Sequence, residues 1–234
     1  MSRKSAAPIV IIGTGLAGYT TARELRKLDT ESPLELVTAD DGHFYSKPMI
    51  SNALGREQLP LDLPTADASK MAADLDARIL TRTRVDAIDT EAKQVHLNGE
   101  TLAYSRLVLA LGADPVRLDL DGDADAAISV NDLDDYARFR DAIAGRRRVV
   151  VLGAGLIGCE FANDLATAGY DVEVVELFDH ALGRIAPREA GDAVSGALEE
   201  RGVRWHFGVA CERIERDGAI LRVGKRRLFR LRMP

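Results

Sequence analysis

The sequence is poor in cysteine: Cys159 and Cys211, far apart, are the only two in 234 residues. That excludes a small disulfide-stapled secreted domain and fits a reducing compartment. Long apolar runs are also missing. None reaches the roughly 18–20 residues needed to span a bilayer, and residues 1–8 lack the apolar core of a signal peptide. A cytoplasmic protein with no membrane association is expected. Positive charge is not in excess, since the net charge is −6, so the chain as a whole is no nucleic-acid binder. The four histidines, His43, His96, His180 and His206, show no metal-ligand spacing, and no metal is expected.

What is present is apolar residue in quantity, 46% of the chain, enough for one large core or two small ones. Charge is uneven along it. Residues 114–135 are rich in Asp, whereas residues 222–232 carry only Lys and Arg. That basic end reads as a solvated edge strand or a frayed terminus.

A segment near the start recurs 140 positions later, Gly13 against Gly153. The first copy runs Pro8-Ile-Val-Ile-Ile-Gly13-Thr14-Gly15-Leu16-Ala17-Gly18, the second Val149-Val-Val-Leu-Gly153-Ala-Gly155-Leu156-Ile157-Gly158. The match continues into Ala22 and Leu25 against Ala162 and Leu165. Each copy reads as a buried parallel strand, a glycine turn and a helix. In such a turn the first glycine allows the tight bend, the second lets a pyrophosphate approach the backbone, and the third lets helix pack on strand. The helix then aims its unpaired N–H groups and positive dipole end at the phosphates. Both copies return as a second strand, residues 34–38 and 172–175, followed by an acid, Asp40 and Glu176. A carboxylate there accepts hydrogen bonds from an adenosine ribose. The alternative is that both sets of glycines serve the fold alone. The fold class is therefore α/β, two tandem Rossmann-like dinucleotide-binding units. A β-rich crossover is expected over residues 87–103, and a helix over 132–144 capped by Asn131.

On these residues the chain resembles the FAD-dependent pyridine nucleotide-disulfide oxidoreductases, and within them the rubredoxin reductases. The stretch Thr38-Ala-Asp-Asp-Gly-His-Phe-Tyr-Ser-Lys-Pro-Met-Ile-Ser51 is similar to that group's loop after the second strand. Gly153-Ala-Gly-Leu-Ile-Gly-Cys-Glu-Phe-Ala-Asn-Asp-Leu165 and Leu107-Val-Leu-Ala110-Leu-Gly112-Ala-Asp-Pro115 are similar to two more of its motifs. The resemblance implies an FAD-binding domain over residues 1–116 and an NAD-binding domain over 117–234. It places Lys47 and Pro48 against the flavin, the main chain near Val85 against the FAD adenine, and Ala110 and Gly112 beneath the FAD. It also implies that Glu160 faces the nicotinamide and flavin and pairs with Lys47. Without it, Lys47 reads as a surface lysine, and Glu160 as a first-turn acid welcomed by the helix dipole.

Residues 45–55 hold no cysteine, unlike many relatives. The two thiols are expected to be buried and structural. Electrons would then leave from the flavin to an external redox protein such as rubredoxin. The implied activity is an oxidoreductase moving hydride from NADH to FAD, with Glu176 favouring NADH over NADPH. The family's later Gly-Asp strand and interface domain have no counterpart here, and the chain resembles a C-terminally truncated member. A catalytically weak nucleotide-binding remnant is therefore the competing reading, and a flavin-free enzyme with NAD at the first site a third.

Overall fold

A computed structural model describes residues 7–215, together with the backbone of Gly218–Val223 and Arg227–Arg232. It divides into two compact units, one of residues 1–47 with 62–114, the other of 48–61 with 115–234.

The first unit opens with β1 (Ile9–Ile12), α1 (Leu16–Leu28) and β2 (Leu34–Val37). After the loop come α2 (Ala68–Leu75) and β3 (Arg78–Leu80). Next are β4 (Val85–Asp89), β5 (Gln94–Leu97), β6 (Glu100–Ala103) and β7 (Arg106–Leu109). Strands β3-β2-β1-β7 form a parallel sheet, and β4-β5-β6 an antiparallel one. Successive strand side chains point to opposite faces, and the buried residues divide accordingly. Ile11 and Leu36 pack with Tyr19 and Ala22 of α1 and Met71 and Leu75 of α2. Val10, Ile12 and Val37 pack instead with Val95, Leu97 and Tyr104 of the antiparallel layer. Runs apolar at every position are thus explained by burial on both faces.

The second unit comprises β8 (Asp121–Gly122), α3 (Leu133–Ile143), β9 (Arg148–Leu152), α4 (Leu156–Thr167) and β10 (Asp171–Glu176). It continues through α5 (Arg188–Glu199), β11 (Arg204–Phe207), β12 (Val209–Glu215), β13 (Gly218–Val223) and β14 (Arg227–Arg232). The parallel sheet β11-β10-β9 repeats the β3-β2-β1 order, and a β14-β13-β12-β8 sheet accompanies it. Val175 of β10 and Val209 of β12 form a cluster joined by Val150, Leu152 and Cys211.

The crossover expected over 87–103 is the β4-β5-β6 meander, beginning at Val85. The basic end enters the fold as β14, an edge strand paired with β13 alone among the described residues. Asn131 is not the cap of α3. Asp132 is, in extended backbone geometry just before Leu133, its carboxylate accepting the N–H of Asp135, the third helical residue, at 2.8 Å. Among the described residues no helix is long and apolar enough to cross a membrane.

Candidate functional site

The two glycine turns are built alike. Gly13 and Gly153 take φ of +108° and +105°, which L side chains rarely adopt, and each ends a strand. A β-carbon on Gly18 would lie 1.9 Å from the Gly13 carbonyl oxygen, and one on Gly158 would lie 2.0 Å from that of Gly153. These third glycines are demanded by helix–strand contact. A β-carbon on Gly15 or Gly155 would meet nothing within 4 Å. Nothing in the protein forbids a side chain there, so open space lies over both positions.

That space sits at the start of a helix. Gly15 caps α1 and Gly155 caps α4, neither with a side-chain hydrogen bond to the first-turn donors. The first-turn residues Leu16 and Ala17, and Leu156 and Ile157, are exposed around it. Unpaired N–H groups and the helix dipole together favour an anion at such an end. Thr14, by contrast, is buried. Ala110 closes the first turn from beneath, its N–H donating to Ile12 O at 2.8 Å, and Gly112 follows at a φ of +72°. Val85 lies at the start of β4, half-buried against the Val10–Val37 cluster.

The acids after the second strands are both engaged. Asp40 lies past the end of β2, and its Oδ1 accepts from Thr38 Oγ1 at 2.6 Å, Gly42 N at 2.9 Å and Thr14 Oγ1 at 3.3 Å. Tyr19 secures the same loop by donating its hydroxyl to Gly42 O at 2.5 Å. Glu176 ends β10, and its Oε2 accepts the Ala154 N–H at 2.5 Å while Oε1 accepts that of Phe178 at 2.9 Å. Each acid therefore ties its strand end to a nearby loop.

Lys47 and Pro48 are exposed, and Lys47 begins a 3₁₀ helix, Lys47–Asn52. Glu160 is not in the first turn of α4, which holds no acid. It is the fifth residue counted from Leu156, and its Oε2 accepts the hydroxyl of Ser51 at 2.5 Å. A groove of about 280 Å³ borders it, lined also by Asn52, Leu156, Asn163, Leu182 and Leu198. Cys159 is buried, and burial first, then the Glu176 and Glu160 charges, pushes its thiol up to about 11. Cys211 on β12 is only partly buried, packed against the Val175–Val209 cluster, rather than buried as expected.

Sequence reasoning missed Ser51, Gly55 and Asp164. Asp164 is 4% exposed and accepts the N–H groups of Leu54 and Gly55, each at 2.8 Å. One signal was available: an acid four residues after Glu160, on an otherwise apolar helix face.

The family model described as pyridine nucleotide-disulphide oxidoreductase matches residues 7–229. The rubredoxin-NAD(+) reductase of Alcanivorax borkumensis is 48% identical over 202 residues, covering 86% of this chain and 53% of that one. That of Acinetobacter baylyi is 48% identical over 216 residues, 89% of this chain and 55% of its own length. The chain thus spans about half the length of these curated relatives. Among solved structures, a ferredoxin reductase from Rhodopseudomonas palustris superposes with a TM-score of 0.85 at 27% identity, over 97% of this chain and 56% of that one. A putidaredoxin reductase in covalent complex with putidaredoxin gives 0.84 at 27% identity, over 98% and 57%.

Proposed function

Because the chain belongs to the pyridine nucleotide-disulphide oxidoreductase family, we propose that it holds FAD on its first glycine turn and NADH on its second. In this reading it is a flavoprotein oxidoreductase that passes electrons from NADH to an external redox protein of the rubredoxin kind. The carrying observation is the pair of open helix-start cradles over Gly15 and Gly155, where an added β-carbon meets nothing. Residues 1–116 serve FAD and 117–234 serve NADH. The reading is supported by the 48% identity to rubredoxin-NAD(+) reductases.

The residues present fit these nucleotides. Gly13, Thr14, Gly15, Leu16, Ala17 and Gly18 frame the FAD pyrophosphate, with Asp40 toward its ribose. Val85 offers main chain to the adenine, Ala110 and Gly112 form the floor, and Lys47 and Pro48 face the isoalloxazine. Gly153, Gly155, Leu156, Ile157 and Gly158 frame the NADH pyrophosphate, with Glu176 at the ribose and Glu160 at the nicotinamide end. Flavin, when bound, supplies hydride acceptance and one-electron release, which no side chain here provides. The Lys47 ammonium favours negative charge developing beside it. With no cysteine in residues 45–55, no disulfide relay stands between cofactor and acceptor.

A second reading, nucleotide binding without turnover, is favoured by one observation. The apolar strands β7 and β9 each have a neighbour on one side only among the described residues. The test is a visible spectrum of the chain mixed with FAD, followed by anaerobic NADH. Bound flavin bands that bleach with NADH support the first reading. A colourless protein that still binds NADH supports the second.

A further inference from the structure

Lys47 opens a 3₁₀ helix that leads straight into a segment held by α4. Two α4 carboxylates do the holding, and a spacing of four residues puts both on one helix face. Glu160 accepts the hydroxyl of Ser51 at 2.5 Å. Asp164 accepts the backbone N–H of Leu54 on Oδ2 and that of Gly55 on Oδ1, both at 2.8 Å. A carboxylate this buried is tolerable only with its oxygens satisfied by donors. The fit is close on the other side too. A β-carbon on Gly55 would lie 2.9 Å from Asp164 Oδ1 and 3.1 Å from Thr167 Cγ2. Tyr136 and Arg140 of α3 add to the anchorage, donating to the Gln58 carbonyl at 3.2 and 2.9 Å. Ile50, Ala53 and Leu54 are buried, so the segment is packed as well as bonded.

We infer that Asp164 is a positioning residue for the Lys47–Pro48 turn, acting by fixing the main chain at Leu54 and Gly55. The inference rests on the proposed place of Lys47 beside the flavin. The chain is pinned at Ser51 by Glu160 and at Leu54 and Gly55 by Asp164. Ser51 lies inside the Lys47–Asn52 3₁₀ helix, so the first pin is on the element that Lys47 opens, and Leu54 and Gly55 follow just past its end. Geometry of this kind affects rate more than binding, since a displacement of about 1 Å costs on the order of a hundredfold in a reacting arrangement.

The experiment compares the FAD-mixed chain with its Asp164→Asn and Gly55→Ala variants, which disturb one contact in chemically different ways. Hydrogen exchange is followed at the amides of residues 47–55 and of α4. Expected is loss of protection at Leu54 and Gly55 that extends back through the Lys47–Asn52 helix while α4 stays protected. Flavin reduction at saturating NADH should slow by about tenfold or more, with NADH affinity changed by less than about twofold. The flavin visible bands should shift in both variants. Exchange confined to Leu54 and Gly55, or an unchanged reduction rate, would overturn the inference. If Asp164→Asn does not fold, Gly55→Ala decides alone. If the unsubstituted chain takes up no flavin, the proposed function fails, and the exchange pattern still decides whether Asp164 sets the turn.

Discussion

Glu176 accepts the backbone N–H of Ala154 at 2.5 Å, so the acid ending β10 is wired to the glycine turn that ends β9. The carboxylate shapes the turn, and in the proposed NADH site it would also meet the ribose. Lone pairs without donors welcome ribose hydroxyls and repel a 2′-phosphate. Two unit charges about 4 Å apart cost roughly 1 kcal/mol in water and about 4 at an effective dielectric of 20. That is about fivefold to several hundredfold in affinity. NADH should therefore bind more tightly than NADPH. In Glu176→Ala the preference should fall away, and both nucleotides should bind more weakly because the Ala154 N–H loses its partner. Titration of both reduced nucleotides checks this, and equal affinities for the unsubstituted chain would refute it.

The glycines of each turn should fail in different ways. Gly158→Ala drives a β-carbon to 2.0 Å from the Gly153 carbonyl oxygen, so helix and strand must part. A loss of about 1–3 kcal/mol of stability is expected, as for other overpacked contacts. Gly155→Ala and Gly15→Ala meet no protein atom. Their melting temperatures should stay near the original while affinity for NADH and FAD, respectively, drops. Thermal and denaturant melts beside nucleotide titrations separate the two effects. Gly155→Ala that destabilised the fold without affecting NADH would contradict the cradle.

Those glycine turns were the most legible part of the chain, because each is local: strand, turn and helix are contiguous, and only three positions carry the geometry. The layering followed from apolar runs buried on both faces. The cap of α3 was misplaced by one residue because Asn131 and Asp132 are both good caps, and only side-chain direction separates them. The place of Glu160 depended on where α4 starts, a boundary that pattern alone sets to within a residue or two. Asp164 was not legible, since its partners lie 110 and 109 residues earlier in a loop whose path no periodicity describes.

A buried carboxylate on β10, paired with cations of β11, should give the second unit an acid-sensitive stability. Glu173 accepts from Arg204 Nη2 at 2.9 Å and His206 Nε2 at 2.8 Å. Burial alone would raise its pKa, but the hydrogen bonds and charges of Arg204 and His206 outweigh it and hold the carboxyl below its ordinary 4.5. A depressed folded pKa means stability fully present above about pH 4.5 and lost as pH falls through the folded value. Glu173→Gln should cost about 1.5 kcal/mol near neutrality, the low end for a charged hydrogen bond because Arg204 is half exposed. The gap between the two proteins should close below pH 4.5. A constant gap in urea melts from pH 7 to 3.5 would mean that Glu173 does not contribute through its charge.

The two thiols should differ in reactivity although neither has a disulfide partner. Cys159 lies on the first half of α4, 7% exposed, its thiol 3.5 Å from the Ala154 carbonyl. Burial, then the charges of Glu176 and Glu160, pushes its pKa up to about 11. The thiolate is the nucleophile, so at pH 8 only about one molecule in a thousand is ready to react there. Cys211 is also raised, chiefly by burial, but it is partly exposed. Iodoacetamide at pH 8 should therefore label Cys211 first. Labelling of Cys159 should rise about tenfold per pH unit toward pH 11. Glu160→Gln removes one of the charges opposing ionisation and should shift that curve to lower pH, whereas a Glu189→Gln control on α5 should leave it in place. Peptide mapping of alkylation against pH reads both thiols at once. Rapid labelling of Cys159 at pH 8 in the folded chain would show that its thiolate is neither buried nor opposed by these carboxylates.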